Sequence, residues 1–114
     1  MKKGYLVIIG TILLAACGTT KLIQPTQADA ERGSQKFTNL TLAQLNQGKE
    51  LYEQNCSICH GIKKPESRNE DQWNKIVPNM AEKVNRKKGE GTINNEKQEI
   101  LLKYLVTMSH SQVK

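Results

Sequence analysis

The sequence predicts a small all-α domain, and three observations carry that prediction. Polar N-cap residues are followed three positions later by glutamine ahead of apolar runs, at Thr41 with Gln44 and near Asn95 with Gln98. Within those runs the apolar residues return at three- and four-residue intervals, and no segment alternates long enough to be a strand. Finally, setting residues 1–16 aside from the 114 leaves 98, enough for one small core and no more.

The elements follow in order. Met1-Lys2-Lys3 is a positively charged start, Tyr5 to Leu14 is a short apolar run, and Leu14-Ala15-Ala16-Cys17 closes it with small residues before a cysteine. From Tyr5 to Ala16 there are only 12 residues, where a membrane span needs about 20. The segment resembles the signal peptide and lipobox of bacterial lipoproteins. That resemblance implies cleavage before Cys17, a cysteine left carrying acyl chains, and hence a membrane anchor at about 0.8 kcal/mol per buried methylene. Residues 17–36, rich in Thr, Gln, Ser, Gly and Pro, read as a flexible tether. The folded domain is expected over 37–114. A helix from about Leu42 to Asn55 carries Leu42, Leu45, Lys49, Tyr52 and Cys56 at helical spacing. Gly61 to Asn69 reads as loop. Asp71 to Val77 is a short helix with Trp73, Ile76 and Val77 on one side, which Pro78 should end or kink. Asn85 to Asn94 reads as loop, and the last helix opens near Asn95 with Ile100, Leu101, Tyr104, Leu105 and Met108 on its buried face.

Five consecutive residues carry the chemistry. Cys56-Ser57-Ile58-Cys59-His60 is C-x-x-C-H, the attachment pattern of c-type haem. Two intervening residues set the thiols at about the separation of the two haem vinyl groups, and the adjacent His60 is delivered to the iron as its proximal ligand. The same pattern serves as a zinc half-site or a redox dithiol. A four-ligand zinc site would have to recruit Cys17 or His110, the remaining Cys and His, and no βαβ pattern surrounds residue 56 for a dithiol. One covalent haem c, held through Cys56 and Cys59, is the expected cofactor. Haem of this type is attached outside the cytoplasm in bacteria, so the lipobox and the haem motif point to one compartment. With one Phe, one Trp and three Tyr in the chain, a large flat cofactor would also supply apolar contact that the side chains lack.

Around this motif stand Gly48 and Tyr52, eight and four residues before Cys56, and Leu101 with Tyr104 on the final helix. In these positions, from about Leu42 to Met108, the chain resembles the class I cytochromes c. The resemblance implies a small helical domain around one haem, in which a glycine and an aromatic of the first helix cross an apolar residue and an aromatic of the last. It also implies a methionine on the distal side of the iron, from a loop before the last helix. Met80 matches that place, and Trp73, Val77 and Met80 resemble the W-x-x-x-V-x-x-M arrangement of some small haem subunits of periplasmic oxidoreductases. The helical spacing of Trp73, Val77, Met80 and Val84 equally suits a core residue, so Met108 and His110 stay open as alternatives. A proline after the haem histidine implies a backbone carbonyl for the imidazole's second N–H; Pro65 is the residue here, although five residues is a shorter spacing than usual. Trp73 or Arg68 would bond a haem propionate.

The expected function is a membrane-tethered monohaem carrier of single electrons between extracytoplasmic partners. The alternatives are a haem-based sensor or gas-binding module, and a haem subunit of a larger oxidoreductase. The carboxylates show no paired placement and the serines no nucleophile elbow, so catalysis has little support. With Lys2 and Lys3 set aside, 15 of the 17 basic residues face 11 acidic ones, a balance of +4. That favours acidic partners or lipid headgroups, and Lys63 and Lys64 are placed to steer an acidic redox partner. Nucleic acid does not suit an exported, tethered chain, and Arg86-Lys87-Lys88 reads as a solvated loop.

Overall fold

A computed structural model describes residues 21–56 and 62–110. Among them are four α-helices and a short 3₁₀ turn, Pro65–Ser67, with no strand. The expected site residues Cys17, Cys59 and His60 lie outside the described residues. No helix of the described residues is long and apolar enough to cross a membrane.

Helix α1, Gln27–Ser34, lies inside the segment 17–36 that composition reads as a tether. Thr26 and Asp29 form a reciprocal capping box, the Thr26 amide donating to Asp29 Oδ2 at 2.8 Å and the Asp29 amide to Thr26 Oγ1. Eight residues are too few to hold a helix in water by themselves. Packing against α4 supplies the rest: Ala30 and Gly33 are buried, and Arg32 pairs with Asp29 at 2.9 Å while donating to the Thr107 carbonyl at 3.1 Å. Burial raises the Asp29 pKa, but the Thr26 amide and the Arg32 guanidinium outweigh it and hold the carboxyl below its ordinary value. The polar composition was a poor guide because small residues let a short helix approach closely without a long apolar stripe.

Helix α2, Leu42–Asn55, begins at the Thr41/Gln44 capping box and buries Leu45, Gly48, Tyr52 and Asn55. It crosses α4, Asn95–Ser109, at Gly48. A Cβ at Gly48 would lie 2.3 Å from Tyr104 Cβ and 2.9 Å from the Ile100 carbonyl oxygen, so the two backbones meet where only hydrogen fits. Tyr52 and Tyr104 flank the crossing with ring centroids 6.2 Å apart. The last helix is capped one residue earlier than expected, Asn94 Oδ1 accepting from the Lys97 amide at 2.9 Å, while Gln98 reaches back to the Ile93 carbonyl. Helix α4 packs against α1, α2, α3 and the 3₁₀ turn, which explains why residues 104 to 109 are buried on every side.

Helix α3 runs from Glu70 to Lys88, straight through Pro78, in place of the short helix expected to stop there. Proline in a helix interior removes one hydrogen bond and costs about 3 kcal/mol. Both Pro78 and Asn74, whose carbonyl loses its helical partner, are exposed, on the side of the helix away from the core. Burial of Trp73, Val77, Ala81 and Val84 carries the helix across the gap. Glu70 and Asp71 in its first turn and Arg86, Lys87 and Lys88 in its last complement the helix dipole. The expected loop from Asn85 therefore begins at Gly89, and Asn85 closes it by exchanging two bonds with Ile93, at 2.7 and 3.1 Å.

Candidate functional site

Cys56, the first cysteine of the C-x-x-C-H run, opens onto a cleft. Cys56 caps the C-terminus of α2, its amide donating to the Tyr52 carbonyl at 3.0 Å. A cavity of about 250 Å³ lies between this end of α2 and the face of α3. Helix α2 contributes Tyr52, Asn55 and Cys56 to its wall; α3 contributes Trp73, Ile76, Met80, Lys83 and Val84, a single stripe at three- and four-residue intervals. Lys63 and Arg68 belong to the segment that returns after the motif.

Two buried rings pin that returning segment. The Tyr52 hydroxyl donates to the Lys63 carbonyl at 2.5 Å, and the Trp73 indole donates to the Pro65 carbonyl at 2.9 Å. The rings meet edge to face, 6.1 Å between centroids and 86° between planes. Each ring thus spends its polar atom on backbone and leaves apolar surface to the cleft wall. The single N–H of Trp73, expected to bond a propionate, is engaged by the Pro65 carbonyl in this structure. The Pro65 carbonyl, expected to serve an imidazole, accepts from Trp73. Arg68 does line the cleft, with Nη1 donating to the Ser67 carbonyl at 3.0 Å.

Cys56 sits in a low-dielectric corner. Burial pushes its thiol up to about 12, with Lys88 pulling the other way. The Lys88 ammonium is fixed there by Asn55 Oδ1 at 3.0 Å and the Gln54 carbonyl at 3.2 Å, and it neutralises the negative end of α2. Asn55 in turn donates to the Leu51 carbonyl at 2.9 Å. Without a cofactor, Cys56 is therefore a neutral thiol at neutral pH. Burial also raises Tyr52, to about 12, and Tyr104 further still.

The methionines separate clearly. Met80 is half-buried in the cleft wall, on the same cavity as Cys56, but it stands on a continuous helix rather than on a loop. Met108 is 2% exposed inside the main core and does not line the cleft. His110 is exposed at the end of α4. The described residues thus bring an apolar wall, the Cys56 thiol and the Met80 thioether to one cleft. Sequence reasoning missed Asn55, Lys83 and Lys88. Lys83 follows Met80 by one short turn and could have been found by extending the Trp73 stripe; the Lys88 contact spans 33 residues and left no local signal. No family model, no curated protein and no solved structure matches this chain.

Proposed function

We propose that the chain is a membrane-tethered monohaem cytochrome c that carries single electrons between partners outside the cytoplasm. The observation that carries this reading is the cleft that joins Cys56, the first residue of C-x-x-C-H, to Met80 across an apolar wall. Cys56 and Cys59 would hold the haem covalently, His60 and Met80 would ligate its iron, and Cys17 would carry the lipid. When bound, haem supplies a one-electron ferric/ferrous couple. The protein's own part is to keep the site dry and rigid. Trp73, Ile76 and Val84 exclude water from the wall, and Tyr52 and Trp73 hold the returning segment against the body. Lys63, Arg68 and Lys83 place three cations on the cleft, which suits an acidic docking partner. Raising ionic strength should slow reduction by such a partner, and an unchanged rate would remove the steering role.

The test is the visible spectrum of protein made with haem-attachment machinery. Thioether-type haem bands together with the far-red methionine-to-iron band support the carrier; haem bands alone favour a sensor; no covalent haem ends the reading. A second reading, a haem subunit of a larger oxidoreductase, is favoured by the placement of Trp73, Val77 and Met80 on one helix. Co-purification of a stoichiometric catalytic partner from gently solubilised membranes would select it.

A further inference from the structure

The chain is tied to the folded body much closer to Cys17 than its composition suggests. Leu22 packs on the main core, Gln24 Nε2 donates to Asn46 Oδ1 at 2.7 Å, Pro25 is buried, and α1 follows at once. From Cys17 to Leu22 is five residues, a reach of at most about 17 Å, whereas a tether lasting to residue 37 would reach about 65 Å. A lipid on Cys17 would therefore hold this end of the domain within one short extended segment of the headgroups. The surface found there has the chemistry for that position. Lys21 and Ile23 line a shallow pocket with Lys64, Pro65 and Glu66. Ile23 is 50% exposed and is the one large exposed hydrophobic among the described residues. Lys21 and Lys64 are exposed beside it, with Lys63 adjacent in sequence and Glu66 as the single acidic neighbour. A lone exposed isoleucine is ordinary on a protein surface; one set among lysines a few residues from an acyl anchor is placed as interfacial side chains are, apolar group inward and ammonium groups at the headgroup level.

We infer that Lys21, Ile23 and Lys64 form the face that the domain lays on an anionic lipid surface. This deepens the proposed function and rests on its lipoprotein reading of Cys17. It also divides the two neighbouring lysines: Lys64 turns to lipid, while Lys63 stays with the cleft. Its consequence is a carrier confined to one membrane surface, whose partners must be held at that same surface.

The experiment uses the full acylated protein in detergent, in phosphatidylcholine vesicles and in vesicles of phosphatidylcholine with phosphatidylglycerol. Lysines are labelled with a membrane-impermeant amine-reactive ester and read by mass spectrometry, which also reports the state of Cys17. Labelling of Lys21 and Lys64 should slow at least fivefold on the phosphatidylglycerol vesicles only, with Lys75 on α3 unchanged. Ile23→Glu, a change at an exposed position, should restore most of that labelling. Equal labelling in all three preparations with Cys17 acylated overturns the inference alone, as does equal protection on neutral and anionic vesicles. A Cys17 without acyl chains overturns the lipoprotein reading and the inference together.

Discussion

Against α4, helix α2 has no room for one carbon at Gly48; against α3, the same helix faces a cavity of about 250 Å³. The closed side is finished by its own side chains, with Gly48, Tyr52, Leu101 and Tyr104 all buried. The open side is walled, among the described residues, by Trp73, Ile76, Met80 and Val84. The difference teaches how the two faces of α2 divide: one is sealed against α4, and the other borders the cleft in which the proposed function places the haem.

The comparison can be broken from either side. The largest effect concerns the open side in protein made without haem. With its pKa near 12, Cys56 should carry about a thousandfold less thiolate at pH 8 than an ordinary thiol, and alkylate correspondingly slowly until urea unfolds the chain. Because the folded-state pKa is raised, this contribution to stability is complete below the ordinary thiol value and disappears as the pH climbs towards 12. A urea midpoint that does not fall between pH 9 and 11 would contradict the burial of that thiol. On the closed side, Gly48→Leu drives side-chain carbons into the Tyr104 Cβ and the Ile100 backbone, neither of which can rotate away, and should cost more than about 3 kcal/mol or prevent folding. Thermal melts of this variant test whether the seam is as tight as it looks.

Smaller changes sharpen the contrast. Trp73→Phe removes the bond to the Pro65 carbonyl while keeping most of the ring, with an expected loss of about 1–3 kcal/mol in urea unfolding. Gly33→Ala presses on Leu40 Cδ2 at 2.4 Å and the Thr107 side chain at 2.8 Å. These are side-chain atoms rather than backbone, so about 1–2 kcal/mol is expected, less than at Gly48. Met80→Ala trims a half-buried side chain from the open wall and should cost less than about 1.5 kcal/mol. Its main effect belongs in the spectrum of the haem-loaded protein, where the methionine band should vanish. A large stability loss with the band retained would make Met80 a packing residue instead.

Legibility along the chain followed how local each cause was. The Thr41 cap, the periodicity of α2 and the apolar face of α4 are written within one or two turns, and the structure has them where the pattern put them. Helix α1 was hidden because its stability comes from Gly33 and Ala30 fitting against α4, more than sixty residues away, and small residues leave no periodic stripe. Pro78 misled for a related reason: its local cost is real, but the burial of Val77, Ala81 and Val84 on both sides of it is a tertiary gain. At the site, Cys56 and Met80 could be named from motif and spacing, and Met108 from its register with Leu101, Tyr104 and Leu105 on the buried face, while the cavity that Cys56 and Met80 share could not.

Sequence alone determined the helical class, the motif at Cys56 to His60, the glycine for a close helix crossing and the pair of aromatics beside it, because each depends on residue type and short-range spacing. Tertiary structure alone decided that the chain is anchored to the core from Leu22, that α3 continues to Lys88, that Trp73 bonds to Pro65 and that Lys88 stands beside Cys56. These depend on free energy gained between segments distant in the chain, and burial of that kind outweighs local preference once the segments meet.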